Sequence, residues 1–541
     1  MSSHLSIWKR SPNKLRRDEI WLECFYFTSL FLVALILFSI NLGNLPLLDF
    51  GEGTVARVAQ EIVQQPATLT KWIFPTLWGE PFLERPPLTY DLIAIAYNFG
   101  INEFTTRFPG ALLGAISVVL VYSIGREIYV ARFPALFSAL VYLTCLPVVR
   151  YSRLAMSDGP LLCFELLAIW AVLRSRRDFR WSLAAGLGLG LMALTKGIVS
   201  LQILIVLGVF LLWDTPRLIA STYFLTGIFL GLAPAIIWYA SLWFHYPEFS
   251  TIGDSFNLIS DRVAAGNLSP ISTVIFYFSQ VIQYILPWLI IMLAGTRLAT
   301  HHVHWGWGKL LTAWIGIYLA LSFLSFNRDY GAILLVYPAL ALAAGKQLDL
   351  VHNLPSYISC PRIWTYSFAL MAVLTAFAGL HWGIRDYIDF YLPFICGSLT
   401  ITFAATAIII ARQGKQFISI LFWGLFVSFF LLFLSPHWLW ELNTTEPVKP
   451  VAKLVKQYTP KGQIVYTSKS DSRPSLEFYS DRQIIPQKID DLKYHWQNDK
   501  DVYLLVDFAT INELNIPSRA IVPDPEFMSL KWKLAFQKSS P

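Results

Sequence analysis

The charged residues of this chain gather where apolar runs end, and that placement limits the chemistry open to them. Asp49 and Glu52 follow the first long apolar run, in LLDFGEGTVARVAQEI. Glu84 and Arg85 lie in GEPFLERPPLTY, and Arg150, Arg153 and Asp158 in VVRYSRLAMSDGPL. Lys196 sits in ALTKGI, between two closely spaced apolar runs. Asp261 and Arg262 follow in a longer polar stretch, and Arg328, Asp329 and Tyr330 occupy SFNRDYGAILLVYPAL. Ionisable groups near membrane depth are expensive and point to function by default. Carboxylates beside Arg and Lys at one water–lipid boundary suit a reaction on a lipid-borne phosphate. The cations hold the phosphate and offset its charge as it leaves. A carboxylate can take the proton of an incoming hydroxyl.

Plainer readings compete at each position. A lone Arg at a span end is usually an anchor snorkelling to headgroups, which would account for Arg150, Arg262 and Arg385. Asp158, followed by Gly-Pro, suits a helix cap. Lys196 resists such a reading, because a two-residue turn does not need a lysine. His301, His302 and His304 look like a metal tract, but no carboxylate is nearby and a solvated loop fits better. The five cysteines are scattered and form no metal or disulfide pattern.

The elements that must position these residues are membrane spans. Of 541 residues, 55% are hydrophobic and 14% charged, and the mean hydropathy is +0.52. Soluble chains carry roughly 25% charged residues. A soluble enzyme, a disordered chain and a basic nucleic-acid binder are excluded. Thirteen runs are apolar enough for spans: 21–42, 108–125, 133–149, 159–173, 181–195, 197–213, 218–240, 272–296, 310–326, 331–345, 364–381, 388–411 and 416–435. With the N-terminus inside, the inner segments hold 18 Lys and Arg against ten outside before residue 440. The positive-inside rule then places the N-terminus in the cytoplasm and the C-terminus outside. The first basic segment precedes a run too long for a cleaved signal peptide.

Two segments differ from the spans. Residues 43–107 form a long outer loop with helical patterns over 52–65 and 87–100, both read as helices in the interface plane. The second reads alternatively as a short extra span. Residues 441–541 hold 27 charged residues, more than twice the density of 1–440, and mark a separate water-exposed domain. There Val448–Tyr458 and Pro474–Asp481 look helical, and Gln463–Thr467 and Val502–Phe508 look like strands. The predicted fold is a multi-span α-helical membrane protein of about thirteen transmembrane helices with a small C-terminal α/β domain.

In order along the chain, GEGTVARVAQEI, WIFPTLWGEPFLERPPLTY, INEFTTRFPGAL, AMSDGPL and ALTKGI resemble the motifs of the family 39 glycosyltransferases. That family includes protein O-mannosyltransferases and lipid A aminoarabinose transferases of the glycosyltransferase-C type. The resemblance is strongest over 45–200. It implies a sugar donor on polyprenyl phosphate, a lipid or protein acceptor, and inverting displacement on the outer face of a cell membrane, with no nucleic-acid partner. It makes Glu52, Asp158 and Asp49 the catalytic candidates, and Arg85, Lys196, Arg328 and Tyr330 the donor-phosphate ligands. Glu84 becomes a candidate ligand for a divalent cation, with His245 or Asp254. The family's acidic pair reads Gly51-Glu52 here, so one aspartate is missing from its register. Three outcomes remain open: Glu52 acts as base with Asp158 assisting, the acceptor is already anionic and needs no strong base, or the chain is inactive. Arg85 stands where lysine is commoner, which keeps the charge and changes its geometry. The competing classes are a secondary transporter and a non-catalytic envelope-assembly protein. No internal repeat supports the former.

Overall fold

The computed structural model describes residues 17–64, 69–246, 284–324, 333–354, 360–385, 390–444, 447–469, 473–499, 501–522 and 531–537. Arg328 and Tyr330, with Asp254, Asp261 and Arg262, lie outside them.

All thirteen apolar runs contain helix within their described parts. The first is α1 (Arg17–Ser39). The loop 43–107 carries α2 (Thr54–Gln64), α3 (Leu69–Ile73) and α4 (Leu88–Ala96). There follow α5 (Glu103–Ile128), α6 (Arg132–Leu143), α7 (Leu146–Arg153), α8 (Asp158–Ser175), α9 (Trp181–Lys196) and α10 (Ser200–Asp214). After the short α11 (Pro216–Ile219) come α12 (Thr222–His245), α13 (Leu289–His301), α14 (Gly306–Leu324) and α15 (Tyr337–Asn353). The membrane part closes with α16 (Arg362–Arg385), α17 (Tyr391–Ala411) and α18 (Phe417–Leu434). Six described helices are long and apolar enough to cross a bilayer alone, and α6 with α7 makes a seventh span bent by 59°. The run expected at 133–149 is this bent pair.

Close helix contacts are made where side chains are small. A Cβ built at Gly186 of α9 would lie 2.3 Å from the Ile228 carbonyl oxygen of α12, and one at Gly188 only 2.9 Å from the Ala168 nitrogen of α8. Helix α9 is therefore wedged between two neighbours at backbone distance, a packing membrane helices use because lipid gives them no hydrophobic drive to associate. The wedge fixes where its last residue, Lys196, emerges.

The helix ends form two groups. At one, Arg126 and Arg132 share Glu23, Arg174 and Arg177 share Glu127, and Arg176 and Lys309 share Asp214. These are basic segments assigned to the inner side from the sequence. The other end carries the loop 43–107 and the C-terminal domain.

Both helical patterns of that loop form helices, but α2 does not lie on an open interface. Eight of its eleven residues are buried, including Arg57, Gln60 and Glu61. Its polar side is covered by the C-terminal domain and the hairpin segment 76–78: Arg57 pairs with Asp481 at 2.6 Å and lies 3.8 Å over the Trp78 ring, and Glu61 accepts from Thr76 and the Trp78 amide. Helix α4 has nine residues, under half of what a span needs.

The C-terminal domain has α19 (Val448–Tyr458), β3 (Val465–Thr467), α20 (Pro474–Ser480), β4 (Ile484–Pro486), α21 (Ile489–Asn498), β5 (Val502–Asp507), α22 (Phe508–Glu513) and β6 (Trp532–Gln537). A two-stranded hairpin in the loop 43–107 supplies β1 (Thr76–Leu77) and β2 (Glu80–Pro81). The sheet order is β4-β3-β5-β6, with only β6 antiparallel. Along β5, Tyr503 and Leu505 join the cluster containing α19, while Val502, Leu504 and Val506 join that of α21 and α22. Period-two alternation thus feeds two apolar faces, which is why this strand reads as a continuous apolar run.

Candidate functional site

The turn Asp49–Gly53 follows α1 and holds two of the three candidate carboxylates. Glu52 is wholly buried, and its surroundings are saturated. Arg107 donates to it twice, Nε to Oε1 at 2.8 Å and Nη2 to Oε2 at 2.7 Å. The backbone amides of Ala155 and Leu48 add bonds at 2.8 and 3.0 Å. Arg107 spends its other donors on the carbonyls of Leu42, Leu45 and Pro46. Burial alone would raise the Glu52 pKa. The Arg107 charge and these hydrogen bonds outweigh it and hold the carboxyl below its ordinary value of 4.5. A fixed, fully bonded anion suits an organising role better than the proton-accepting one expected from the sequence, because a base must offer a free lone pair to its substrate.

Asp49 accepts hydrogen bonds from Arg473 Nε at 3.0 Å and from the Ser475 hydroxyl, both in the C-terminal domain. Gly51 has φ +97°, and a Cβ there would come within 2.5 Å of Met156 Cε. An aspartate at this register would be strained in backbone and crowded by Met156.

Asp158 opens α8. It makes no capping bond there, contrary to the plain reading; its Oδ1 accepts from Lys196 Nζ at 2.9 Å. Both side chains are about one-tenth exposed. The cation stands at the C-terminal end of α9, where the helix dipole favours it. Beside it, a Cβ built at Gly197 would lie 3.8 Å from Pro86 Cγ, so the Glu84–Pro86 segment runs next to the end of α9. Leu83, in a cluster with Phe74, Trp238 and Leu242, anchors that segment. Glu84 and Arg85 are exposed and hydrogen-bonded to no described residue.

The structure thus joins Asp158 to Lys196 directly. It joins Glu52 to the same loop through Ala155, three residues before Asp158, and brings Asp49 to the turn that carries Glu52. Arg85 is exposed and immediately precedes Pro86, which lies next to Gly197 at the end of α9. His245 Nδ1 faces the Ser241 carbonyl, and among the described residues no three His, Cys, Asp or Glu side chains gather to hold a cation. An open cleft of about 440 Å³ lined by Asn41, Asn44, Asn102 and Glu103 shares none of the Asp158, Lys196 or Arg85 side chains.

Arg107, which the sequence reading leaves out of the candidates, and Arg153, which it includes, are both fully buried. Arg153 binds the carbonyls of Leu37, Phe38 and Ile40 at the end of α1 and packs on the Phe433 and Trp438 rings. Arg150 is no lipid anchor: it is buried, pairs with Glu441 and lies 3.7 Å over the Trp440 ring. Arg385 is exposed at the end of α16, as an anchor would be. Asp91 on α4 is a further, partly buried acid that no sequence pattern marks. One of its oxygens is buried without a partner among the described residues, and burial pushes its pKa up to about 7.

Residues 84–239 match the family model described as dolichyl-phosphate-mannose-protein mannosyltransferase. The chain is 27% identical over 299 residues to undecaprenyl phosphate-alpha-4-amino-4-deoxy-L-arabinose arabinosyl transferase 1 of Pseudomonas fluorescens, covering 53% of this chain and 54% of that protein. A second such transferase from that species is 30% identical over 281 residues, 49% of this chain and 46% of its own length. The chain spans about half the length of these curated relatives. The fold matches that of ArnT from Cupriavidus metallidurans bound to undecaprenyl phosphate, with TM-score 0.75 at 17% identity, over 95% of this chain and 98% of that one. An oligosaccharyltransferase from Archaeoglobus fulgidus follows at TM-score 0.54 and 12% identity, over 91% and 70%. The family 39 resemblance of the motifs and the glycosyltransferase-C fold are supported together.

Proposed function

We propose that this chain is a membrane glycosyltransferase that moves a sugar from a polyprenyl-phosphate donor to a lipid or protein acceptor. The observation that carries the reading is the Asp158–Lys196 pair at the end of α9 with the Glu84–Pro86 segment running next to that end, all within the stretch matched by the family model. Lys196 and Arg85 bind the donor phosphate, Lys196 as a point charge and Arg85 through its fork. A phosphate competes with Asp158 for Lys196, so donor binding loosens the resting ion pair and frees the Asp158 carboxylate. That carboxylate takes the acceptor hydroxyl proton as the oxygen bonds to the anomeric carbon. The carbon–oxygen bond to phosphate breaks, and polyprenyl phosphate leaves with the electron pair, its charge met by Lys196 and Arg85. Attack opposite the leaving group inverts the anomeric centre. Glu52 and Arg107 hold the loop on which this depends.

The active face is the one away from the cytoplasm, in a cell membrane, with the N-terminus inside and the C-terminal domain outside. The basic helix ends opposite the site favour this orientation. The names of the relatives make undecaprenyl-phosphate-linked aminoarabinose the first donor to try. The test is mass spectrometry of envelope lipids and proteins from a deletion strain carrying the wild-type chain or Asp158→Asn. A glycosylated species present with the former and lost with the latter is expected. Identical profiles would reject the assignment.

A further inference from the structure

The turn that carries Asp49 and Glu52 is clamped from a domain more than 400 residues later in the chain. Asp49 receives Arg473 Nε at 3.0 Å and the Ser475 hydroxyl. Gly53 lies so close to the start of α20 that a Cβ there would sit 2.4 Å from the Ser475 nitrogen and 2.9 Å from the Pro474 carbonyl carbon. The Leu47 amide donates to the Tyr479 hydroxyl at 3.0 Å, and that hydroxyl donates to Glu103. Both flanks of the turn are thereby held by one short helix. Arg473 is nearly buried, with 5% of its side chain exposed, so its bond to Asp49 is shielded from competing water. From the turn the connection continues inward: Glu52 accepts from the Ala155 amide, and Asp158 begins α8 three residues on.

We propose that Arg473 and Ser475 are positioning residues for sugar transfer: by fixing the Asp49–Gly53 turn they set, through Glu52 and Ala155, where the Asp158 carboxylate stands. This rests on the reading of Asp158 as the base. It makes the C-terminal domain part of the reaction centre's frame. The donor-phosphate cations Lys196 and Arg85 are held by other elements, α9 and the Leu83 cluster, so the clamp acts on the chemical step and not on donor binding.

The experiment uses full-length protein with Arg473→Gln, Ser475→Ala, Arg473→Lys and Asp158→Asn. Undecaprenyl phosphate is the binding probe in nanodiscs, and the species lost in the deletion strain is the product measured in complemented cells. Arg473→Gln and Ser475→Ala should each lower product formation about tenfold or more, leave undecaprenyl phosphate affinity within about twofold, and speed amide exchange over residues 47–53 and 154–158. Arg473→Lys, which keeps the charge, should recover part of the activity. Normal product formation in both Arg473→Gln and Ser475→Ala overturns the proposal, as does a parallel loss of product and of undecaprenyl phosphate binding. If Arg473→Gln does not fold, Ser475→Ala and Arg473→Lys decide by the same criteria. Loss in Asp158→Asn without loss in the clamp variants sinks the clamp alone, whereas full activity in Asp158→Asn sinks the reading of Asp158 as the base beneath it.

Discussion

The two ends of the helix bundle handle charge in opposite ways. At the basic end, Glu23 serves Arg126 and Arg132, and all three side chains remain 18–32% exposed. Such pairs are screened by salt and contribute little. At the other end, Glu52 and Arg107 are both 0% exposed, and every bond either can make is filled by the other or by backbone. The first arrangement tolerates change because water replaces whatever is lost. The second fixes a loop in one position, which the proposed base and phosphate site require. Sealing also has a cost, visible at Asp91, where a carboxyl is desolvated without a cation to offset it.

The contrast is broken most directly by neutralising one acid at each end. Glu52→Gln should destabilise the protein by about 3–5 kcal/mol, because it leaves the Arg107 charge buried and uncompensated. Glu23→Gln should cost about 1 kcal/mol or less. Thermal unfolding of the solubilised protein measures both, and equal losses would erase the distinction. Native Glu52 stays ionised at neutral pH. Its depressed pKa makes a stabilising contribution that is present above 4.5 and lost as pH falls through the lower folded value.

Asp91 sharpens the comparison with the opposite sign. Its folded pKa near 7 exceeds the ordinary 3.8, so between these values the folded chain holds a proton that the unfolded chain has released. Stability should fall as pH rises through that window and stay lower above 7. Asp91→Asn should flatten this slope and gain on the order of a few kcal/mol at pH 8. An unchanged pH profile would show that the group is better solvated than its surroundings indicate.

Lysines divide in the same way. Lys196→Ala should weaken undecaprenyl phosphate binding about tenfold, a loss of about 1.4 kcal/mol. Lys309→Ala, which removes a partner of Asp214 at the basic end, should leave that affinity unchanged. Fluorescence titration in nanodiscs distinguishes them. The smallest effect is that of ionic strength. Raising salt from about 0.05 to 0.5 M should shift stability by under about 1 kcal/mol in the wild type, and less still once Glu23 is neutralised.

Much of this was legible in the sequence, for identifiable reasons. Spans announce themselves because lipid demands unbroken apolar length, and each of the thirteen runs contains helix in its described part. The strand Val502–Asp507 was visible because both of its faces are covered. Ile484–Pro486 and Trp532–Gln537 were not, one being three residues ending in proline and the other holding Lys533 and Gln537 in a short mixed run. Among the site residues, the Asp158–Lys196 contact was foreshadowed only by a lysine that no turn required. The inward placement of Arg107 and Arg153 was hidden because an arginine near a span end ordinarily reaches for headgroups, and composition does not reveal one turned inward. The available signal was position: Arg107 lies one turn inside its helix, in NEFTTRFP, and not at its margin. Pairings between residues 49 and 473, or 57 and 481, have no local signature at all.

That last separation has a consequence for biogenesis. Residues 47–53 are synthesised with the first helix. The helix that closes over them is synthesised more than 400 residues later, roughly 20–80 s at ordinary elongation rates. Until then the nascent chain lacks its clamp, so an unfinished polypeptide should be inert in the proposed transfer, and competence should arrive abruptly as the final domain folds back onto the first loop.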